Sequence, residues 1–209
     1  MRAPSVFNLA GLSTWLRVAL LCAAFMGVFT VFSWGIDRIP VTDRDEARFA
    51  QASKQMAQSG DWIDIRFQDT PRYKKPVGIY WAQTIAGQAL GQPGGDAIWV
   101  YRLPSVLAAT LACFALYWAG LPLVGAWAAV VAGIMLASSF LMHVEARIAK
   151  TDAALLLCTI LAMGALARAW MAQARGWEVP AVFWTALAAG FLIKGPLILA
   201  PVFGVYLWL

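Results

Sequence analysis

The sequence predicts an all-α integral membrane protein with several spans and one large polar segment that carries helices of its own. Three observations support this. The chain is 61% hydrophobic with only 13% charged residues and a mean hydropathy of +0.68, whereas an ordinary soluble domain carries about 25% charged residues. Apolar runs recur along the chain, and an apolar helix of ~20 residues crosses a bilayer. The charge is also concentrated: five of the six residues from Asp43 to Arg48 are charged, directly after the first long apolar run.

Taken in order, the first span covers about 15–36. Arg2 and Arg17 precede its apolar core in the manner of a signal peptide, but no small-x-small cleavage site follows and the run passes straight into Gly35-Ile36-Asp37, so it reads as an uncleaved span. A polar, mixed segment follows over 37–102. Further apolar runs lie at about 103–120, 126–142, 153–170, 180–193 and 197–209, separated by Leu121–Gly125, a charged connection over 143–152, a connection over 168–178, and Lys194-Gly195-Pro196. The last run stops while still apolar. The expectation is that residues 1–209 form the N-terminal part of a multispanning domain.

With the N-terminus in the cytoplasm, the short inner segments hold Arg2, Arg17, Arg168 and Arg175, and the short outer ones hold Arg147, Lys150 and Lys194. The segment 37–102 is too long for its charge to set orientation. Whatever the orientation, parity places 37–102, 143–152 and Lys194 on one face. Charges at the ends of membrane segments are costly and usually functional, so their convergence suggests a single site.

Within the polar segment, residues from Asp43 to about Ser59 read as a helix stopped by Gly60, with Phe49, Ala52, Met56 and Ala57 on one side. Such a helix would lie along the membrane surface. Thr42 and Asp45 fit a Thr-x-x-acid capping box, which explains one carboxylate but not five charges. Trp62, Ile63, Ile65 and Phe67 alternate like a strand or extended loop, and a second helix is expected over about Val77 to Leu90. Lys74 and Lys75, beside Tyr73, suit a phosphate as compact point charges, or they snorkel toward lipid head groups. Glu145, Arg147, Lys150 and Asp152 sit at a span boundary, where a turn with self-compensating charges is the plainer reading. His143 is read as structural. Cys22, Cys113 and Cys158 lie in apolar runs without metal-ligand spacing and read as buried thiols rather than disulfides. The net charge of +5 points to anionic lipid head groups rather than nucleic acid, because the basic residues are scattered between spans.

The ordered set of an Asp-Glu pair after the first span, Gly60-Asp61-Trp62, Lys75-Pro76-Val77-Gly78, Arg147 with Thr151-Asp152, and Lys194-Gly195-Pro196 resembles the bacterial members of the GT-C glycosyltransferase superfamily. The similar group is the protein O-mannosyltransferase-like branch, of glycosyltransferase family 39 type, which includes the aminoarabinose transferase acting on lipid A. The resemblance covers nearly the whole chain. Where several of those relatives carry Glu before Lys-Pro, this chain has Lys74.

That resemblance implies a polytopic enzyme of the bacterial inner membrane, with a large extracytoplasmic first loop carrying surface-lying helices and its active site on the outer face. It implies transfer of a hexose or pentose from a polyprenyl (undecaprenyl-type) phosphate carrier to a lipid, glycan or protein acceptor, with inversion at the sugar carbon. The family's first-loop acid falls on Asp45, with Glu46 beside it, as the catalytic carboxylates. Lys75, Arg147 and Lys194, with Lys74, Tyr73 and Asp152, fall where lipid-phosphate binding is expected. A divalent metal is a candidate cofactor without an assigned ligand set. The rival class is a transporter or flippase for a lipid or sugar, which would place ionisable groups near the midplane in an internal repeat. No repeat is visible and the charges sit at span ends. A non-enzymatic scaffold gives no reason for charge to converge on one face.

Overall fold

The computed structural model describes residues 13–41, 43–171 and 176–208. Arg2, Thr42 and Arg175, used in the sequence reading, lie outside the described residues.

The first helix, α1 (Thr14–Ser33), opens on Ser13, whose hydroxyl accepts from the Leu16 amide at 3.3 Å. Its 20 residues give a length of about 30 Å, which matches the hydrocarbon thickness of a bilayer. Among the described residues, four helical stretches are long and apolar enough to cross: Thr14–Ser33, Ile98–Ser138, Asp152–Trp170 and Glu178–Val205.

The 41-residue stretch α4 (Ile98–Ser138) is a helical hairpin. Gly125 has φ +80° and ψ 170°, a conformation that side chains avoid. The chain reverses there, so that Gly120 lies against Ala129 and Gly133 against the Cys113 carbonyl. The expected runs 103–120 and 126–142 are the two arms of this hairpin, and the short helix α5 (Phe140–Ala146) continues the returning arm.

Helices α6 (Asp152–Trp170) and α7 (Glu178–Lys194) follow, then a 3₁₀ turn (Gly195–Ile198) and α8 (Leu199–Trp208). One core joins Phe32 of α1 to Val106, Ala109, Met142, Ala146 and Ala153. A second joins Cys158 and Ala162 to Leu187, Ile198 and Val202. Both are rich in alanine, as helix contacts in a bilayer are, where backbones approach closely and packing supplies the attraction. Cys113 and Cys158 are buried as expected. Cys22 is exposed on α1, so the reading of three buried thiols is corrected at that position.

The polar segment folds against one end of this bundle. Helix α2 (Arg44–Ser59) is capped by Asp43, which accepts from the amides of Asp45 at 2.7 Å and Glu46 at 3.4 Å. This replaces the expected Thr42 cap: the carboxylate one residue later reaches two free amides of the first turn. Helix α3 (Gly78–Ala89) packs against it, and Phe49, Ala52, Met56, Ile65, Ile79 and Tyr80 form a core of their own. The expected strand is a minimal antiparallel pair, β1 (Arg66–Phe67) with β2 (Thr70–Pro71). At 16 and 12 residues, α2 and α3 are too short to cross a bilayer.

Candidate active site

Four separate segments meet where the polar segment touches the bundle. They are the start of α2, the approach to α3, the turn from α5 to α6, and the end of α7.

Arg102, at the start of α4, and Glu46, in the first turn of α2, form the centre of this junction. Neither side chain is exposed. Arg102 Nε donates to Glu46 Oε1 at 2.7 Å and Nη2 to Oε2 at 3.0 Å. The remaining donors go to the carbonyls of Ile36 (2.6 Å), Ile39 (2.7 Å) and Pro40 (3.3 Å). The amide of Ala149 donates to Glu46 Oε1 at 2.9 Å. All five guanidinium N–H groups are satisfied, so a buried charge pair is tolerated here. The pair ties the end of α1, α2, α4 and the α5–α6 turn together. Glu46 was expected beside Asp45 as a catalytic acid; the structure instead places it in this closed pair.

Around the junction runs a ring of charge. Lys150 donates to Asp43 and Lys194 to Asp152. The Lys150 hydrogen bond holds the Asp43 carboxyl below its ordinary value. Burial pulls Lys150 down, but the hydrogen bond and charge of Asp43, with Glu145 and Asp152, outweigh it and hold Lys150 above the usual lysine value. Glu145 is pushed up, first by burial and then by the charge of Asp152, and its Oε2 is enclosed without a hydrogen bond. The charges of the turn therefore do not compensate one another as expected. Each lysine reaches a partner on another segment.

The Lys75-Pro76 and Lys194-Gly195-Pro196 motifs meet directly. Gly195 has φ +69°, and Pro76 Cγ lies 3.9 Å from where a Cβ would stand. At Gly78 a Cβ would stand 2.7 Å from the Leu192 carbonyl oxygen, so only glycine lets α3 begin this close to the end of α7. Lys75 is thereby held at the same end of α7 as Lys194. Lys75 is half-buried and Lys74 exposed, and among the described residues neither has a carboxylate partner.

The other expected residues are distributed as follows. Asp45 is exposed at the first turn of α2, 3.4 Å from Arg48. Tyr73 donates its hydroxyl to Asp64 at 2.6 Å, and Asp64 also accepts from Arg66 Nε at 2.6 Å. The Tyr73 hydroxyl, followed by Arg66, lowers the Asp64 carboxyl. Tyr73 thus belongs to the hairpin rather than to a lysine pair. Arg147 turns to the end of α1, donating to the carbonyls of Val31 at 2.9 Å and Phe32 at 3.3 Å, a favourable place for a cation at a helix C-terminus. His143 packs edge-on against Phe32 with ring centroids 5.1 Å apart. Among the described residues, no group of three or more His, Cys, Asp and Glu side chains is placed to hold a metal ion.

Comparison with known proteins accords with this geometry. The family signature described as dolichyl-phosphate-mannose-protein mannosyltransferase matches residues 74–209. An undecaprenyl phosphate-alpha-4-amino-4-deoxy-L-arabinose arabinosyl transferase from Edwardsiella ictaluri is 34% identical over 172 residues, which cover 78% of this chain and 30% of that protein. The transferase of the same name from Enterobacter sp. is 29% identical over 171 residues, again 78% of this chain and 30% of that protein. Among solved structures, ArnT from Cupriavidus metallidurans in the apo state superposes with a TM-score of 0.77 at 22% identity, covering 92% of this chain and 36% of that one. The same protein bound to undecaprenyl phosphate gives 0.73 at 24%, covering 90% and 34%. The fold is therefore the GT-C fold, and the chain spans about a third of the length of these relatives. Its apolar helices and its relatives make it a multi-pass protein of a bacterial inner membrane.

Proposed function

The chain belongs to the dolichyl-phosphate-mannose-protein mannosyltransferase family, and from that premise we propose that it forms the donor-handling part of a lipid-linked sugar transferase. The enzyme moves a sugar from a polyprenyl phosphate to an acceptor at the outer membrane surface. An undecaprenyl-type carrier, an aminopentose and lipid A are the donor and acceptor chemistry that its relatives favour. The observation that carries this reading is the convergence of Lys75, Lys150 and Lys194 at one end of an otherwise apolar bundle, beside the first turn of α2 that carries Asp45.

A lipid phosphate stays at the bilayer surface, and this junction is where the polar segment meets the spans. In the transfer, the bond between the anomeric carbon and the phosphate oxygen breaks and the acceptor oxygen bonds to the same carbon. The electron pair leaves with the phosphate. Cations fixed near that oxygen before the reaction stabilise the developing charge without reorganising. Lys75 is the foremost of these, since it has no carboxylate partner among the described residues. Lys194 is held by Asp152, and Lys74, which is exposed, and Arg147, which is anchored on the last carbonyls of α1, are assisting cations. Asp45, exposed at the mouth, takes the proton of a hydroxyl acceptor. A phosphate acceptor is already ionised, and Asp45 then orients it. A single displacement inverts the sugar carbon. The outer face of the inner membrane, with the N-terminus in the cytoplasm, is the orientation that supplies both substrates.

The test follows acceptor-dependent release of free polyprenyl phosphate by the full chain in nanodiscs. The expected result is release by wild type and a loss of about 10²–10⁴-fold with Asp45→Asn when the acceptor is a hydroxyl. Wild-type movement of the sugar lipid across liposomes with no release would replace transfer by transport.

A further inference from the structure

Among the described residues, the ring of charge leaves the carboxyl of Glu145 without a hydrogen-bonding partner at Oε2. Lys150 is engaged by Asp43 and Lys194 by Asp152, so both lysines that act on Glu145 already have a carboxylate. Glu145 Oε2 is enclosed and makes no hydrogen bond. The side chain heads a cleft of about 210 Å³ walled by Leu141, Met142 and Leu156, with Ser139 and Asp152 as its polar neighbours. The charged groups that face it come from every segment at this end: Asp152 and Lys150 from the α5–α6 turn, Lys194 from α7 and Asp43 from the start of α2. His143, on the same short helix, turns to Phe32.

Such a carboxylate has one oxygen enclosed and no free counter-ion, and that partial burial disfavours its charged form. The same ring is where the reading above seats the lipid phosphate. With two lysines already neutralised, the positive field offered to a phosphate is small, and one further negative charge removes a large share of it.

Resting on that reading of the donor site, we propose that Glu145 is a positioning residue that carries a proton when the lipid phosphate is bound. Protonated, it lets Lys75, Lys150 and Lys194 present a net positive face to the phosphate; ionised, it withdraws that face. Binding and protonation are then reciprocal, so an arriving phosphate favours the protonated carboxyl as much as the proton favours binding. The proton stays on the Glu145 carboxyl and takes no part in bond breaking.

The experiment measures equilibrium binding of undecaprenyl phosphate to the full chain in nanodiscs from pH 4.5, the ordinary carboxyl value, up to about pH 9, for wild type, E145Q and E145A. The phosphate's own titration is common to all three. Relative to E145Q, wild-type affinity is expected to fall about tenfold as pH rises, the effect of one charge at moderate effective dielectric. E145A, which also lacks the charge, follows E145Q. Parallel profiles for wild type and E145Q overturn the role of Glu145 while leaving the donor site intact. Absence of wild-type binding at every pH overturns the donor-site reading and this proposal with it. Infrared difference spectra of wild type give a readout that needs no variant. At a pH where Glu145 is ionised in the free protein, a protonated-carboxyl band gained on adding undecaprenyl phosphate supports the proposal, and its absence overturns it.

Discussion

The guanidinium of Arg102 and the carboxylate of Glu46 are joined by two hydrogen bonds, 2.7 and 3.0 Å long, with neither side chain exposed. Their sequence separation is 56 residues. Through the carbonyls of Ile36, Ile39 and Pro40 and the amide of Ala149, the pair fixes the segment before Asp43 and Asp45 relative to the turn that carries Lys150 and Asp152. It holds the two halves of the candidate site in register.

Removing one partner strands a buried charge. Arg102→Met or Glu46→Leu is expected to destabilise the protein by about 3–5 kcal/mol, and the double replacement by less than the sum. Thermal unfolding in detergent measures this. A loss under about 1 kcal/mol for the single changes would show that water reaches the pair.

Glycine at 78 is required by approach rather than by φ. Gly78→Ala places a methyl 2.7 Å from the Leu192 carbonyl oxygen, which forces α3 away from α7 at a cost of about 1–3 kcal/mol. The same shift moves Lys75, so donor binding falls along with the melting temperature.

Lys75 and Lys194 separate function from stability. Lys75 has no carboxylate partner among the described residues, so Lys75→Ala is expected to leave stability within about 0.5 kcal/mol of wild type while turnover falls about 10²-fold. Lys194→Ala removes the partner of Asp152 and lowers both. Equal melting temperatures for the two variants would contradict this division.

The pH dependence of stability has opposite signs at two carboxyls. Glu145 is raised from an ordinary value of 4.5, so it stabilises the fold fully below that value, and the contribution is lost as pH rises through the raised one. E145Q and wild type therefore converge near pH 4.5, with the variant gaining relative stability above it. Asp43 is lowered from 3.8, chiefly by Lys150. Its contribution is present above that value and lost as pH falls through the depressed one. Melting temperatures across this range, compared with Asp43→Asn, check both signs.

Much of this arrangement was legible in the chain, because lipid leaves little freedom. Apolar runs set the crossings, and parity alone put Asp43–Arg48, Lys150, Asp152 and Lys194 on one face, where the structure joins them in pairs. Pairing itself was not legible. Glu145, Lys150 and Asp152 read as a self-compensating turn because nearest neighbours in sequence are the natural first guess. The actual partners, Asp43 and Lys194, lie 107 and 42 residues away. Arg102 was missed because an arginine at the edge of an apolar run looks like any snorkelling cation. A signal was there in principle, since it is flanked by Tyr101 and Leu103 rather than by other polar residues. Glu46 drew attention for its charge and its neighbour, which do not distinguish an acid facing a substrate from one facing a buried arginine. The reversal at Gly125 fell within Leu121–Gly125 because Pro122 and Gly125 interrupt the apolar run there.

The central claim is that the first polar segment and the ends of the later spans build one site for a lipid phosphate. Photocrosslinking with a polyprenyl phosphate bearing a reactive group beside its phosphate tests it most directly. The account predicts labelling confined to residues 73–78, 147–152 and 194–196, competed by unmodified undecaprenyl phosphate and reduced by Lys75→Ala. Labelling centred on Arg168 and Trp177 at the opposite end of the bundle, or spread along α1 without competition, would contradict it.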